Sequence, residues 1–224
     1  MIPEMDKFKD ECGVVGIYNN EKTFDCVEDI YYCLFALQHR GQESAGIATN
    51  LDGRIYTYKN KGLVSDVFDN PEDFGELIGN IGIGHVRYAT SGGGGTTNAQ
   101  PLIVNYKSTQ IALAHNGNLV NARALREMLE DGGVVFQTDI DTEVIVNLIA
   151  RSLKNGIVES IKRVAEIIRG AYALVITTED KLIGLRDPFG LRPLCLGETN
   201  DGYVLASETC ALDAVGAKYI RDID

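Results

Sequence analysis

Cys12 is the residue of this sequence whose position most strongly suggests covalent chemistry. The stretch KFKDECGVVGIYNN, residues 7–20, changes from charged residues to an apolar run directly after Glu11. A thiol that acts as a nucleophile requires a base, hydrogen-bond donors for the oxyanion that forms during attack, and groups that hold the substrate. A buried strand cysteine that follows an N-terminal tail is the alternative interpretation.

Two kinds of base could serve Cys12. The chain has three histidines, His39, His85 and His115, and their sequence contexts do not distinguish one of them as the base. The other candidate is the α-amine that cleavage of the bond between Glu11 and Cys12 would create. A free α-amino group has a pKa of about 7.7 to 8.0, which suits a general base that works near neutral pH.

Asn116 and Gly117 are candidates for the oxyanion donors. They lie in AHNGNLV, residues 114–120, where an apolar strand leads into the Asn-Gly pair and then into a helix start. An Asn side-chain amide beside a Gly N–H can direct two donors at one point. The alternative is an ordinary Asn-Gly turn between strand and helix.

Three charged residues are candidates for holding a substrate. Arg87 lies within the apolar strand GHVRYAT, and its guanidinium suits a carboxylate, although it could also face outward from a half-buried strand. Asp141 begins a helical pattern with Asp139 and Glu143 nearby, where N-capping is the alternative role. Arg87 and Asp141 together would bind the two ionic ends of an α-amino acid. Arg40, at a predicted helix end, could equally complement the helix dipole.

The composition limits the function classes. The chain has 224 residues and a formal net charge of −11, so nucleic acid and anionic membrane surfaces are poor partners. It contains no apolar run of 18 residues, and the first eleven residues lack the apolar centre of a secretory signal. These features predict a cytoplasmic protein. The five cysteines form no metal-ligand spacing, so we expect neither a metal site nor a disulfide framework.

The order of the predicted elements favours an α+β fold in one domain. A strand around residues 12–19 is followed by a helical pattern from Asp25 to Gly41, in which Asp25 and Glu28 resemble a capping box. A hairpin over residues 44–62 then turns at Asp52-Gly53, and further strands lie near residues 81–90 and 109–120. Three helical patterns then lie between residues 121 and 170, and strands return before the C-terminal residues. Strands, helices and strands without strict alternation predict layered α+β packing.

Six motifs occur together in a characteristic order: ECGVVGIY, LQHRGQESAG, GHVRYATSG, AHNGNLVN, DTEVI and RDPFGLRPL. In this order the motifs resemble the N-terminal glutaminase domains of the amidophosphoribosyltransferase family, from Cys12 to about Asp224. The resemblance implies a four-layer αββα sandwich of the N-terminal-nucleophile hydrolase type. It also implies a class II amidotransferase that hydrolyses L-glutamine to glutamate and ammonia, the ammonia-supplying half of phosphoribosylamine synthesis in purine biosynthesis.

Roles for the candidate residues follow from the resemblance. Cys12 becomes the nucleophile once residues 1–11 are removed as a leader, and its α-amine becomes the base. Asn116 and Gly117 become the oxyanion hole. The motif assigns Arg87 to the substrate carboxylate, Asp141 to the ammonium group because it alone precedes TEVI, and Arg40 to support of the loop around the nucleophile.

The resemblance also predicts partners outside this chain. A leader of eleven residues is typical of family members that carry an iron–sulfur cluster, and that cluster and Mg would be held by residues that are not present here. The phosphoribosyltransferase domain is also absent from residues 12–224, which form the glutaminase domain, and the full-length enzyme is expected to be a homo-oligomer. Two alternatives remain open: an unprocessed, inactive precursor or non-catalytic regulatory module, and a Cys–His amide hydrolase that keeps its leader.

Overall fold

The computed structural model describes residues 12–23, 25–69, 75–88, 96–107 and 109–224, so the predicted leader lies outside the described residues. The strands of these ranges are β1 Gly13–Asn19, β2 Ser44–Leu51, β3 Arg54–Lys61, β4 Ile81–Arg87, β5 Leu102–Tyr106, β6 Thr109–Leu119, β7 Gly170–Thr177, β8 Leu182–Arg186, β9 Cys195–Glu198, β10 Gly202–Ala206 and β11 Lys218–Asp222. The α-helices are α1 Val27–Ala36, α2 Val64–Val67, α3 Ala122–Asp131, α4 Asp141–Ser152, α5 Ile157–Ile167 and α6 Thr209–Ala214. Short 3-10 helices lie at Gln38–Arg40, Thr96–Asn98 and Leu153–Asn155.

The strands form two antiparallel sheets. One has seven strands in the order β11-β9-β10-β1-β4-β2-β3, and the other has four in the order β5-β6-β7-β8. β1 lies inside the larger sheet, where Val15 is opposite Ala206 of β10 on one side and Gly84 of β4 on the other. Because β1 is paired along both edges, the backbone directly after Cys12 is held on both sides.

The two sheets pack face to face through a core of small and branched side chains. Val14, Ala48 and Ile83 of the larger sheet are buried there with Ala114 and Val175 of the smaller sheet. β1 and β4 also bury their other faces beneath α1, so both strands are covered on both sides. This explains why both appear in the sequence as continuous apolar runs without strict alternation.

Helices cover the outer face of each sheet. Helices α1, α2 and α6 lie on the seven-stranded sheet, and the group α3, α4 and α5 lies on the four-stranded one. In α3, Leu125 and Leu129 are four residues apart and are both buried, as expected for one apolar stripe on an otherwise polar helix. The predicted four-layer αββα sandwich is therefore confirmed. None of the helices in the described ranges is long and apolar enough to cross a membrane.

β6 extends further than the sequence pattern predicts. The strand continues through the Asn-Gly pair to Leu119, with Asn116 opposite Ala173 and Gly117 opposite Tyr172 of β7. The turn interpretation of this pair is wrong, because the ladder with β7 keeps the backbone extended. Gly117 has a φ of 148°, and a Cβ there would lie 2.1 Å from the carbonyl oxygen of Ala171. The position therefore requires glycine.

Other element boundaries also differ from the predictions. The helix expected to continue to Gly41 ends at Ala36, and the 3-10 turn Gln38–Arg40 fills the interval. The predicted capping box is only half present, since the Asp25 Oδ1 accepts the Val27 N–H at 3.0 Å. Helix α6 and the edge strand β11 were not predicted, because both are short and β11 is exposed along its whole length.

Candidate active site

Cys12 lies directly before β1 and is partly exposed as a residue, while its thiol lies among protein atoms. Burial raises the pKa of this thiol, and the nearby carboxylate of Asp141 acts in the same direction. A hydrogen bond with the Tyr88 backbone and the charge of Arg87 lower the pKa but do not overcome the burial. The thiol therefore stays protonated at neutral pH unless a base takes its proton. The same contacts show that Arg87 and Asp141, 54 residues apart in sequence, both lie close enough to Cys12 to influence it.

Arg40 contacts the backbone of the candidate nucleophile. Its Nε donates to the carbonyl oxygen of Cys12 at 3.1 Å, and its Nη1 forms an ion pair with Glu208. The 3-10 turn that continues from α1 carries Arg40 to this position. The structure thus places the Arg40 side chain beside Cys12 and Glu208, and these contacts are not those of a side chain that complements a helix dipole.

Arg87 is the last residue of β4 and is almost fully buried. Pairing of Gly13 with Val86 brings the end of β4 beside the start of β1. The Arg87 side chain is 4% exposed, and its Nη1 donates to Oε1 of Glu43 at 3.3 Å. The outward-facing interpretation of Arg87 is therefore wrong. Glu43 binds one nitrogen of a guanidinium that carries five N–H groups.

Asn116 is a fully buried polar side chain in β6. Neither its Nδ2 nor its Oδ1 has a hydrogen-bond partner within the described part of the chain. A buried polar group without a partner costs about 1–3 kcal/mol, so the amide of Asn116 is a candidate for contact with a ligand. β6 packs across the sandwich against β1 and β4, which places Asn116 and Gly117 on the sheet facing the strands of Cys12 and Arg87.

Asp141 begins α4 and is tied to β6. Its Oδ2 accepts the N–H of Leu119 at 2.8 Å, and its Oδ1 lies 3.3 Å from Nδ1 of His115. Burial would raise the pKa of Asp141, but the charge and hydrogen bond of His115 and the backbone N–H groups of Leu119 and Thr142 lower it below its ordinary value. The carboxylate is therefore ionised in the folded protein at neutral pH.

The two neighbouring acidic residues have different environments. Asp139 is exposed, whereas Glu143 is buried and accepts the N–H groups of Gln137 and Thr138, at 2.9 and 2.7 Å, in the loop before α4. Neither residue caps the helix, whose first turn has no side-chain cap. The N-capping interpretation therefore does not hold for Asp139 and Glu143, and Asp141 is the residue of this cluster whose charge acts on the Cys12 thiol.

The three histidines provide no evident base for Cys12. His39 is exposed and faces Glu208 at 3.1 Å. His85 is fully buried, which lowers its pKa to about 3, and its Nε2 faces the carbonyl oxygen of His115 at 3.1 Å. His115 faces Thr142 and Asp141. The side-chain charges that act most strongly on the Cys12 thiol belong to Arg87 and Asp141, and not to a histidine.

The sequence patterns did not predict the contacts that three residues make with the candidate site residues. Glu43 holds Arg87, His115 faces Asp141, and Glu208 holds Arg40. Glu43 lies inside the motif LQHRGQESAG, and His115 lies inside AHNGNLVN, so the motifs could have suggested both. Glu208 lies 168 residues from Arg40 and carries no comparable local signal. Within the ranges that the structure describes, no cluster of three or more residues could hold a metal ion.

Comparisons with known proteins agree with the fold. A family model described as a glutamine amidotransferase domain matches residues 85–214. An amidophosphoribosyltransferase from Archaeoglobus fulgidus is 50% identical over 214 residues, which cover 95% of this chain and 46% of that protein.

Two solved structures are also similar. One is an allosteric regulatory enzyme of purine biosynthesis, with a TM-score of 0.89, 47% identity, and coverage of 95% of this chain and 45% of the other. The other is the glutamine phosphoribosylpyrophosphate amidotransferase of Bacillus subtilis, with a TM-score of 0.87, 46% identity and the same coverage. The chain spans about half the length of the curated relatives that it matches. The sandwich is therefore of the N-terminal-nucleophile hydrolase type that the resemblance implied.

The lowered pKa of Asp141 predicts a pH-dependent contribution to stability. Because the folded-state pKa lies below the unfolded value of about 3.9, the contribution is present above that value and disappears as the pH falls through the folded-state pKa. The free energy of unfolding of the wild type should therefore fall more between pH 6 and pH 2.5 than that of Asp141→Asn. Urea denaturation at both values measures the difference.

Asp139→Asn is the matched control, because Asp139 is exposed two residues away. Its free energy of unfolding should follow that of the wild type at both pH values. Equal pH dependence in the wild type and in Asp141→Asn would contradict the stabilising contacts of the ionised Asp141.

Proposed function

Because this chain belongs to the glutamine amidotransferase domain family, we propose that it hydrolyses L-glutamine to glutamate and ammonia through a thioester on Cys12. The observation that carries the proposal is that a buried cation, Arg87, and a partly buried anion, Asp141, both act on the thiol of Cys12. An α-amino acid held by its carboxylate at Arg87 and its ammonium group at Asp141 would present its side chain to that thiol. The five-donor guanidinium of Arg87 allows it to bind Glu43 and a substrate together.

The base is the α-amine of Cys12 after residues 1–11 are removed. The raised pKa of the thiol makes such a base necessary, and an amine with a pKa of about 7.7 to 8.0 is suitable. The amine accepts the thiol proton, and the thiolate attacks the side-chain amide carbon of glutamine. The new C–S bond converts the amide oxygen to an oxyanion, which Asn116 Nδ2 and the Gly117 N–H stabilise.

Collapse of this intermediate breaks the C–N bond. The protonated amine returns its proton to the departing nitrogen, which leaves as ammonia, and a γ-glutamyl thioester remains on Cys12. Water, activated by the same amine, then cleaves the thioester and releases glutamate and the free thiol. Arg40 holds the carbonyl of Cys12 during these steps, which supports the loop around the nucleophile.

The ammonia would be a substrate for a second domain of a longer enzyme. The relatives named amidophosphoribosyltransferase are more than twice the length of the segment they share with this chain. We therefore assign the domain to the ammonia-supplying half of phosphoribosylamine synthesis, the first committed step of purine biosynthesis, in a cytoplasmic homo-oligomer. The C-terminal phosphoribosyltransferase domain would be its covalent partner, and the iron–sulfur cluster and Mg would be held by residues outside this chain.

Removal of the leader should be necessary for activity. Purified active protein should begin at Cys12, and its mass should be lower than that of the full sequence by the mass of residues 1–11. N-terminal sequencing together with a glutamate-release assay measures both properties. Cys12→Ala should release no glutamate. A protein that still begins with Met1 and turns over glutamine would rule out the α-amine as the base.

Asn116→Ala should lower kcat far more than it alters KM. The loss of one oxyanion donor typically costs about 2.7–4 kcal/mol, which corresponds to roughly 10²–10³ in kcat. Steady-state kinetics of glutamate release measures the change. Asn118→Ala is the matched control, because Asn118 is exposed on the same strand, and it should keep normal kinetics. A near-normal kcat in Asn116→Ala would remove the oxyanion assignment.

Arg87→Ala should instead raise the KM for glutamine. A hydrogen bond to a charged group contributes about 1.5–3 kcal/mol, so KM should rise roughly 10- to 100-fold. Arg87→Lys should be intermediate, because lysine keeps the charge but lacks the planar fork. Arg123→Ala, at an exposed arginine that pairs with Glu127, should leave KM unchanged. An unaltered KM in both Arg87 variants is incompatible with the anchor role.

A further inference from the structure

Glu208 lies far along the sequence from Arg40 but contacts this residue, which binds the carbonyl oxygen of Cys12. It lies between β10 and α6, and its carboxylate forms an ion pair with Arg40 and lies 3.1 Å from Nε2 of His39. Burial would raise the pKa of Glu208, but Arg40 and His39 outweigh it and lower the pKa below the ordinary value. Glu208 is therefore an ionised carboxylate at neutral pH. Its two partners, His39 and Arg40, lie on the 3-10 turn after α1.

Arg40 connects this carboxylate to Cys12. The Arg40 side chain is 14% exposed, its Nη1 binds Glu208, and its Nε donates to the Cys12 carbonyl oxygen at 3.1 Å. Because the guanidinium is planar and rigid, fixing Nη1 also fixes the direction of the Nε–H bond. The orientation of the Cys12 carbonyl group thus depends on where Glu208 holds the far end of Arg40.

The residue before Glu208 holds β1 directly. Ser207 Oγ accepts the Val14 N–H at 2.9 Å, and the Ser207 N–H donates to the Val14 carbonyl oxygen at 3.0 Å. Residues 207 and 208 therefore fix the chain around Cys12 at two points, through Val14 and through Arg40. A nucleophile at the beginning of a processed chain would be held by covalent bonds on its C-terminal side only, so these contacts would define the position of its thiol and amine.

We propose that Glu208 is a positioning residue for Cys12 that acts through Arg40. The proposal rests on the proposed function, because the position of Cys12 affects catalysis only if Cys12 is the nucleophile. Glu208 itself touches neither the thiol nor, in the mechanism above, the substrate. Its loss should therefore misplace the reacting groups without removing a substrate contact, which lowers kcat and leaves KM nearly unchanged.

The test compares Glu208→Gln with Glu127→Gln in processed protein. Glu127 is also the carboxylate partner of an arginine, Arg123, but this pair is exposed on α3. Glu208→Gln should lower kcat for glutamate release by roughly 10- to 100-fold with KM changed by less than about twofold. It should also slow the alkylation of Cys12 by iodoacetamide, which peptide mass mapping measures. Glu127→Gln should match the wild type in every measurement.

A double-mutant cycle tests the route through Arg40. If Glu208 acts through Arg40, adding Glu208→Gln to Arg40→Ala should lower kcat by no more than about twofold further. Independent, multiplicative losses would overturn the proposal, as would a wild-type kcat and alkylation rate in Glu208→Gln. If Glu208→Gln does not fold, the rate of Cys12 alkylation in Arg40→Lys tests the proposal instead. Its single ammonium group cannot reproduce both rigid contacts, so normal Cys12 alkylation in Arg40→Lys would contradict the proposal.

The outcomes for Glu208 and for the proposed function are separable. A processed wild type that releases no glutamate would contradict the proposed function. The alkylation rates would still show whether Glu208 controls the position of Cys12, because they require no substrate.

Discussion

The burial of the Cys12 thiol is the constraint on which the chemistry of this protein depends. Burial raises the pKa of the thiol despite the charge of Arg87 and the hydrogen bond with the Tyr88 backbone. Ionisation therefore needs a proton acceptor very close to the sulfur. His85 is a poor acceptor for this purpose, because its own burial lowers its pKa to about 3 and its Nε2 faces a carbonyl oxygen. An α-amine created at Cys12 by removal of residues 1–11 would be covalently near the sulfur, so the fold would not need to supply a separate base.

Because the site is largely buried, its charged side chains are each stabilised by a neighbouring polar or charged group. Arg87 lies against Glu43, and Asp141 lies against His115 and the Leu119 N–H. Such groups are costly to bury alone, but paired in a medium of low dielectric they act strongly on a ligand. The Asn116 amide differs from these groups, because among the described residues neither of its polar atoms has a hydrogen-bond partner, which costs stability.

The sandwich brings these groups together from distant parts of the sequence. The larger sheet carries Arg87 at the end of β4, and Cys12 lies directly before the adjacent strand β1. The smaller sheet carries Asn116 and, through a hydrogen bond at Leu119, positions Asp141. Ladders on both edges of β1 and β6 prevent these strands from shifting in register, because a one-residue shift would turn each side chain to the opposite face. Precision in the site thus comes from rigid strands, and the long-range pair of Arg40 and Glu208 adds to it.

The amino-acid sequence by itself determined the α+β class, the three central helices, the β2–β3 hairpin at Asp52-Gly53, and the identity of most candidate residues. These features depend on local patterns or on short motifs, which neighbouring residues encode. The sequence could not decide whether Arg87 faces inward, whether Asn116 and Gly117 form a turn, or that Glu43, His115 and Glu208 support the site. Each of those facts depends on which strands pair and in what register. Only the tertiary structure decides this, because the contacts join residues that are tens to more than a hundred positions apart and leave no local pattern.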